Sequence, residues 1–328
     1  MTSVNMCRQT LISVLAFAAT ALSSLGPVAH AADTASVEKA GTKVIFLGTG
    51  YPRPDPEAMG PSLAIVVRGH AYVVDAGVGV VRRAAAAFAA GETALSSDNL
   101  KTVFLTHLHS DHTLGLPDLL LTPWVVGRKA PLKVIGPKGS ATMLKNISKA
   151  WDQDIHIRLE GGEGGNKTGY KAEVTEIKPG KVYQDENVTV SAFRVGHGTW
   201  HEAFGFRFDT PDKSIVISGD TAAAPDVIQK ACNGCDILIH EVFAGQGVIE
   251  NVFVKKDFTH SEANWATYMS KFHTSAKDLG VIAKAAHPKL LLLHHTILLG
   301  KATEQEVVRD IKLNFDGRVE VAKDLDAF

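Results

Sequence analysis

The segment Thr106-His107-Leu108-His109-Ser110-Asp111-His112 constrains this chain more than any other. It packs three imidazoles and one carboxylate into six residues, directly after Val103–Leu105. That short apolar run reads as a strand. On extended backbone the side-chain period is two, so His107 and His109 share a face, while Asp111 and His112 open the next turn. Imidazole nitrogen and carboxylate oxygen are the donors that zinc-class ions take, and a solvated loop has no need of such density. The chain holds 14 histidines in 328 residues, and others also sit at strand-like ends: Val195-Gly-His197 and Leu291–Leu293 followed by His294-His295. Ser218-Gly-Asp220-Thr221 follows the apolar Ile215–Ile217 in the same manner.

Around these groups, short β-branched runs alternate with helical patterns. Val44–Leu47, Leu63–Val67, Ala71–Val74, Leu132–Ile135, Val188–Val195, Phe204–Phe208 and Ile237–Ile239 read as strands. Helices are expected at Val80–Ala90 and near 139–150, 223–231, 275–286 and 303–314, which makes the class α/β. The Gly-rich stretch 160–169 reads as a surface connector, with a substrate-side flap as the alternative. Residues 1–31 carry one charge, Arg8, then the apolar run Leu11–Leu25 and Ala29-His30-Ala31. This is the pattern of a secretory signal peptide cut after Ala31, and the run is too short to span a bilayer. The expected organisation is thus a signal peptide, 1–31, and a single hydrolase domain, 32–328, that is periplasmic or secreted and has no membrane contact after cleavage.

Charge narrows the partners. Lys plus Arg (34) against Asp plus Glu (35) gives a net charge of -1, which becomes -2 once Arg8 is removed. The basic excess of a dedicated nucleic-acid binder is missing. Of the cysteines, Cys232 and Cys235 remain after cleavage. They cannot complete a four-cysteine zinc site, and they are read either as a tight local disulfide or as two buried thiols.

The spacing H-x-H-x-D-H after an apolar strand resembles the metallo-β-lactamase superfamily, and the likeness extends over nearly the whole mature chain. It implies a four-layer αβ/βα sandwich with two zinc ions per subunit. His107, His109 and His197 would hold one ion, Asp111, His112 and His295 the other, with Asp220 between them. By the superfamily pattern His295 is preferred to His294. Two such ions 3.5 to 4 Å apart hold a hydroxide at neutral pH, which makes the chemistry hydrolysis. Asp111 has a second duty, orienting the water or taking its proton, and Asp75 in Val73-Val-Asp-Ala-Gly77 braces the histidine loop.

Further segments resemble the branch shared by ribonuclease Z and the secreted zinc-dependent arylsulfatases: Leu47-Gly-Thr-Gly50 with Pro52-Arg-Pro-Asp55, Gly136-Pro137, Ala203-Phe-Gly-Phe-Arg-Phe208, His240-Glu241 and His273-Thr-Ser275. The branch implies His273 as general acid or oxyanion contact and Glu241 as its orienting partner. Export, the charge of -2, and Thr296-Ile-Leu-Leu-Gly300 in place of the Ser/Arg/Tyr-type phosphate contact then favour the arylsulfatase-like group. So does the lack of a long Gly/Pro-rich arm. The expectation is a binuclear-zinc hydrolase of a small-molecule ester, first an aryl sulfate, with no nucleic-acid partner and a homodimer left open. Its rivals are a ribonuclease Z-like phosphodiesterase, a lactonase and a periplasmic zinc-binding protein. His201 and His260 are candidates for the pocket or its lid, Trp124 for an aromatic wall or the core, and His70, His156 and His287 for plain surface.

Overall fold

A computed structural model of the protein describes residues 41–245 and 268–328; the expected signal peptide and His260 lie outside them. The first half runs β1 (Lys43–Gly48), β2 (Ser62–Val67), β3 (His70–Val74), α1 (Val80–Ala89), β4 (Thr102–Phe104), α2 (Ser110–Thr113), α3 (Leu116–Val125), β5 (Leu132–Gly136), α4 (Ser140–Ala150), α5 (Asp152–Glu160) and β6 (Ala172–Glu176). The second runs β7 (Gly180–Gln184), β8 (Thr189–Arg194), β9 (Phe204–Asp209), β10 (Ser214–Ile217), α6 (Pro225–Cys232), β11 (Ile237–Ala244), α7 (Ala276–Ala286), β12 (Leu290–Leu298), α8 (Glu304–Lys312) and β13 (Arg318–Val321).

Both halves follow one plan. In the first sheet β1, β2 and β3 are antiparallel neighbours, and β4, β5 and β6 add in parallel. In the second, β7 to β10 are antiparallel and β11, β12 and β13 add in parallel. Alternation along each strand splits its apolar residues between two cores. Val44 and Phe46 of β1 face the second sheet, whereas Ile45 and Leu47 face α1 and α3. In the second sheet Ile215 and Ile217 point to the first sheet, and Val216 packs with Ile228 of α6 and Leu279 of α7. Three cores between helices, sheet, sheet and helices make the four-layer sandwich expected from the sequence. The described residues fall in one compact unit, and no helix among them is long and apolar enough to cross a membrane.

Aromatic packing stiffens the middle. Phe104, at the end of β4, meets Phe206, Phe208 and Tyr183 edge-on at centroid distances of 5.6, 5.1 and 5.6 Å. The histidine loop therefore springs from one of the most tightly held points of the sheet-to-sheet core. Trp124 is core as well, 2% exposed, with its indole donating to the Asn166 carbonyl. Cys232 and Cys235 form a disulfide at the end of α6.

The sequence reading did not include β6, β7 or β13. The first two are mostly exposed, and none of the three is buried throughout, so the apolar signal of a covered strand is absent. Two helices are absent from it as well: α3, whose Pro123 interrupts the helical pattern, and α5, which buries Ile155 alone and so shows no apolar stripe. The Gly-rich stretch is a tied connector. Asn166 Oδ1 accepts from Gly169 N, and the Gly169 carbonyl accepts from the fully buried Arg128. That guanidinium also donates to the carbonyls of Leu100, Leu119 and Leu120. Replacement by Met would remove four hydrogen bonds to buried carbonyls. Arg128→Met should lower urea-unfolding stability by about 3–5 kcal/mol.

Candidate metal centre

The site forms where parallel strands deliver their carboxyl ends, the usual crevice of open α/β sheets. Asp75 follows β3 in the left-handed region, φ 57°, a conformation that a non-glycine residue keeps only when its surroundings hold it there. Its Oδ1 accepts from Thr106 N at 2.8 Å. Its Oδ2 accepts from Thr106 Oγ1 at 2.8 Å and from His112 Nδ1 at 2.8 Å. Because Thr106 Oγ1 gives its proton to Asp75, it is left to accept from His107 Nδ1 at 3.0 Å. His197 Nδ1 likewise donates to the Phe272 carbonyl at 2.7 Å. These partners occupy the Nδ1 atoms and turn the Nε2 atoms of His107, His112 and His197 toward one another.

The predicted ligands converge. His109 Nδ1 lies 2.9 Å from His107 Nε2 and 3.0 Å from His197 Nε2, and Asp220 Oδ2 is 3.9 Å from each of those two nitrogens. On the other side, Asp111 Oδ2 is 3.4 Å from His112 Nε2 and 3.3 Å from His295 Nε2. Asp220 reaches this set too, 3.4 Å from His112 and 3.5 Å from His295. Asp220 is placed by Gly219, whose φ of 62° and whose approach to the Phe204 carbonyl leave no room for a Cβ. His295 is the bulged residue of β12: Glu241 pairs with His294 and Val242 with Thr296, so His295 has no partner on β11. Its φ is 46°, and the bulge swings its ring into the cluster while His294 stays against Phe46.

A cation fits this donor set. Burial, and then the neighbouring imidazoles, push His107 well below the ordinary histidine value and His109 to about 4; burial lowers His197 as well. All three rings are neutral at neutral pH, the state in which imidazole ligates a metal, and three ring nitrogens within about 3 Å of one another share at most one proton, a crowding that a cation would relieve. His112 Nε2 is buried with no hydrogen-bond partner. Burial opposes ionisation of Asp220, but His295 and His112 hold its carboxyl well below the usual range. Asp111 is lowered despite burial by its bond from His295 and by the charge of His112. Burial would lower His112, but the carboxylates Asp220 and Asp75 raise it.

Beside this centre stands the pair His273 and Glu241. Glu241, fully buried on β11, accepts from Thr274 N at 2.8 Å and Thr221 N at 3.5 Å, and its Oε2 lies 3.2 Å from His273 Nδ1. Burial and the charge of Asp220 raise Glu241, while burial lowers His273; a cation beside Asp220 would cancel the Asp220 contribution. His-Thr-Ser thus divides its work: His273 enters the site, Thr274 ties it to β11 and Thr221, and Ser275 caps α7. His273 also lies within ligand reach of Asp220 and His295, a placement the sequence did not suggest. A cavity of about 270 Å³ opens over the centre, walled by Pro52, Tyr268 and Phe272. A larger one, about 700 Å³, opens beside Phe193, Arg207 and Lys230 and touches none of these residues.

Other expectations resolve by position. His201, His70, His156 and His287 are exposed. In place of His201, it is Trp200 whose indole meets His109 Nε2; an aromatic immediately before a noted histidine was the available signal.

Residues 70–296 match the model of the Beta-lactamase superfamily domain. The chain belongs to this superfamily. Within it, the chain is 32% identical over 288 residues to ribonuclease Z of Mycobacterium bovis (strain BCG / Pasteur 1173P2), covering 86% of this chain and 96% of that protein. Among solved structures, the metallo-beta-lactamase fold protein YhfI from Bacillus subtilis superposes with a TM-score of 0.65 at 18% identity, over 88% of this chain and 99% of that one. Human tRNase Z, short form, gives 0.63 at 22% identity over 87% and 98%. The coarse reading, a metal-dependent hydrolase of this superfamily, stands.

The arylsulfatase reading does not. Ribonucleases Z match along nearly their whole length, and a sulfate-ester substrate is withdrawn. The expectation of no nucleic-acid partner falls with it, since those relatives are named for cleaving RNA. Both errors share a cause. Net charge is an average over the whole chain, while a scissile phosphate is held by local donors and metal ions. The quoted motifs are common to both groups and could not separate them.

Two outcomes follow from the geometry. Asp75 touches the metal set only through His112 and Thr106, so Asp75→Ala should weaken zinc binding about 10–100-fold in competition with a chromophoric chelator. Burial holds His240 at about 4 and, with the charge of His295, His294 at about 3. Both folded values lie below the unfolded value of about 6.5. Their contribution to stability is therefore complete above about pH 6.5 and is lost as the pH falls through the folded values. Histidine NMR of chelator-treated protein should find both rings neutral at about pH 5.5, where an ordinary histidine is mostly charged.

Proposed function

We propose that this protein is a metal-dependent phosphodiesterase acting on RNA, a hydrolase of the ribonuclease Z kind. One observation carries the reading: His273, held by the buried Glu241, stands beside two convergent ligand sets in a chain that aligns with 96% of a ribonuclease Z. A protein that only stored zinc would have no use for a proton donor oriented by a buried carboxylate.

His107, His109 and His197 would hold one zinc-class ion, Asp111, His112 and His295 a second, and Asp220 would face both. When bound, such ions polarise a phosphoryl oxygen and lower the pKa of water. The chain's own residues do the rest. Asp111 orients the attacking water and takes up its proton. Glu241 holds the His273 ring through Nδ1, and the ring protonates the leaving oxygen as its bond to phosphorus breaks. The cavity of about 270 Å³ suits one phosphodiester and an adjoining ring, with the rest of the strand lying outside.

The domain is proposed to span residues 32–328 of an exported protein. The run before Ala31 supports this, and so does the disulfide between Cys232 and Cys235, a bond that persists in oxidising compartments. N-terminal sequencing of the protein recovered from outside the cytoplasm should begin at Ala32.

Zinc-loaded mature protein should cleave bis-p-nitrophenyl phosphate and a precursor tRNA. Inactivity on both, with zinc bound, would sink the reading. His273→Ala should keep its zinc and lose about 10²–10⁴ in kcat; a variant that keeps its rate removes His273 as the donor.

A further inference from the structure

Outside the centre, one buried carboxylate is fully occupied by contacts that lead back to it. Asp324, with 5% of its side chain exposed, lies in the segment after β13. That segment leaves the second sheet at Ala322, whose N–H donates to the Leu293 carbonyl, and reaches the first sheet, where Phe328 and Val44 exchange backbone bonds. Asp324 Oδ1 accepts from both Thr49 N and Thr49 Oγ1 at 2.9 Å. Its Oδ2 accepts from Met59 N at 2.9 Å and Arg83 Nε at 2.8 Å. Four donors on one buried carboxylate immobilise both ends of the loop 49–59, which Gly50 N closes onto the Met59 carbonyl at 2.8 Å.

What Thr49 does with its own carbonyl gives this clamp its meaning. The bulge in β12 leaves the His295 N–H without an acceptor on β11, and the Thr49 carbonyl takes it at 3.0 Å. A left-handed, non-glycine backbone costs on the order of 1–3 kcal/mol and persists only where neighbours over-determine it. This bond is the neighbour for His295. The same loop carries Tyr51, whose ring faces that of His295 at 6.4 Å, and Pro52, which walls the cavity.

We propose that Asp324 is a positioning residue for the metal centre: through Thr49 it holds the His295 backbone in the bulged conformation that aims its imidazole at Asp111 and Asp220. The inference rests on the metal-centre reading above and not on the identity of the substrate. Asp324 touches no ligand atom and acts through one backbone bond.

The test is a zinc titration of the chelator-treated full-length mature chain against a chromophoric competitor, together with urea unfolding of the same metal-free proteins. Asp324→Asn keeps the side-chain shape but sets an amide against the donors on one side. It should weaken zinc binding about 10–100-fold, and excess zinc should restore much of the lost kcat on bis-p-nitrophenyl phosphate with KM unchanged. Thr49→Val, which deletes the hydroxyl donor and keeps the backbone donor, should fall between this variant and the native protein. Arg83→Ala cuts the opposite side of the clamp and leaves both Thr49 donors bonded, so its zinc affinity should stay within about twofold of native. If Asp324→Asn and Arg83→Ala lower unfolding stability alike and neither changes zinc affinity, Asp324 is a structural staple and the proposal is wrong. Because zinc is scored without substrate, failure to cleave RNA would leave this result standing.

Discussion

A fully buried Glu241, a nearly buried Asp220 and imidazole nitrogens about 3 Å apart make a well that is costly to leave without a cation. Groups that would repel one another in an apolar surround are gathered at the ends of two sheets and held there by partners pointing away from the centre. Asp75, Thr106 and the Phe272 carbonyl each take the outward face of a histidine and thereby decide what its inward face can do. The fold is rigid around this point because the arrangement would otherwise relax. Aromatic rings lock the strand before the histidine loop, a glycine lets the Asp220 turn press against β9, and a bulge turns His295 inward.

The two halves contribute unequally. The first supplies the dense run His107–His112 together with its brace Asp75; the second supplies His197, Asp220, Glu241, His273 and His295, one or two at a time from the ends of different elements. Neither half holds either predicted ligand set by itself. Assembly of the centre therefore depends on the sheet-to-sheet core forming in register, and metal binding should favour the fully folded chain over partly folded ones.

Much of this was legible in the sequence. The histidine run after an apolar strand, and single donors at later strand ends, gave each residue of the two predicted ligand sets its address, because strand termination and donor chemistry are both local properties. Strands buried on both faces announced themselves by composition. The exposed β6 and β7 did not, nor did a helix carrying two prolines. Contacts made across long separations were also hidden. Nothing near Phe272 marks it as a partner of His197, and nothing around Asp324 connects it to Thr49, since such pairings arise only when the sheets close. The substrate was the hardest to read. Motifs shared by neighbouring branches state the reaction and stay silent on what is cleaved, and averaged charge proved a poor guide.

That silence has a structural source. The ligands sit at strand ends and on a short helix fixed by the core, whereas the cavity over them is walled by Pro52 in the loop 49–59 and by Tyr268 and Phe272 ahead of α7. Reactivity and choice of substrate are thus written in separate parts of the chain. A lineage can rewrite its walls by insertion or exchange while the centre beneath stays as it is, so descendants with the same histidines need not share a diet.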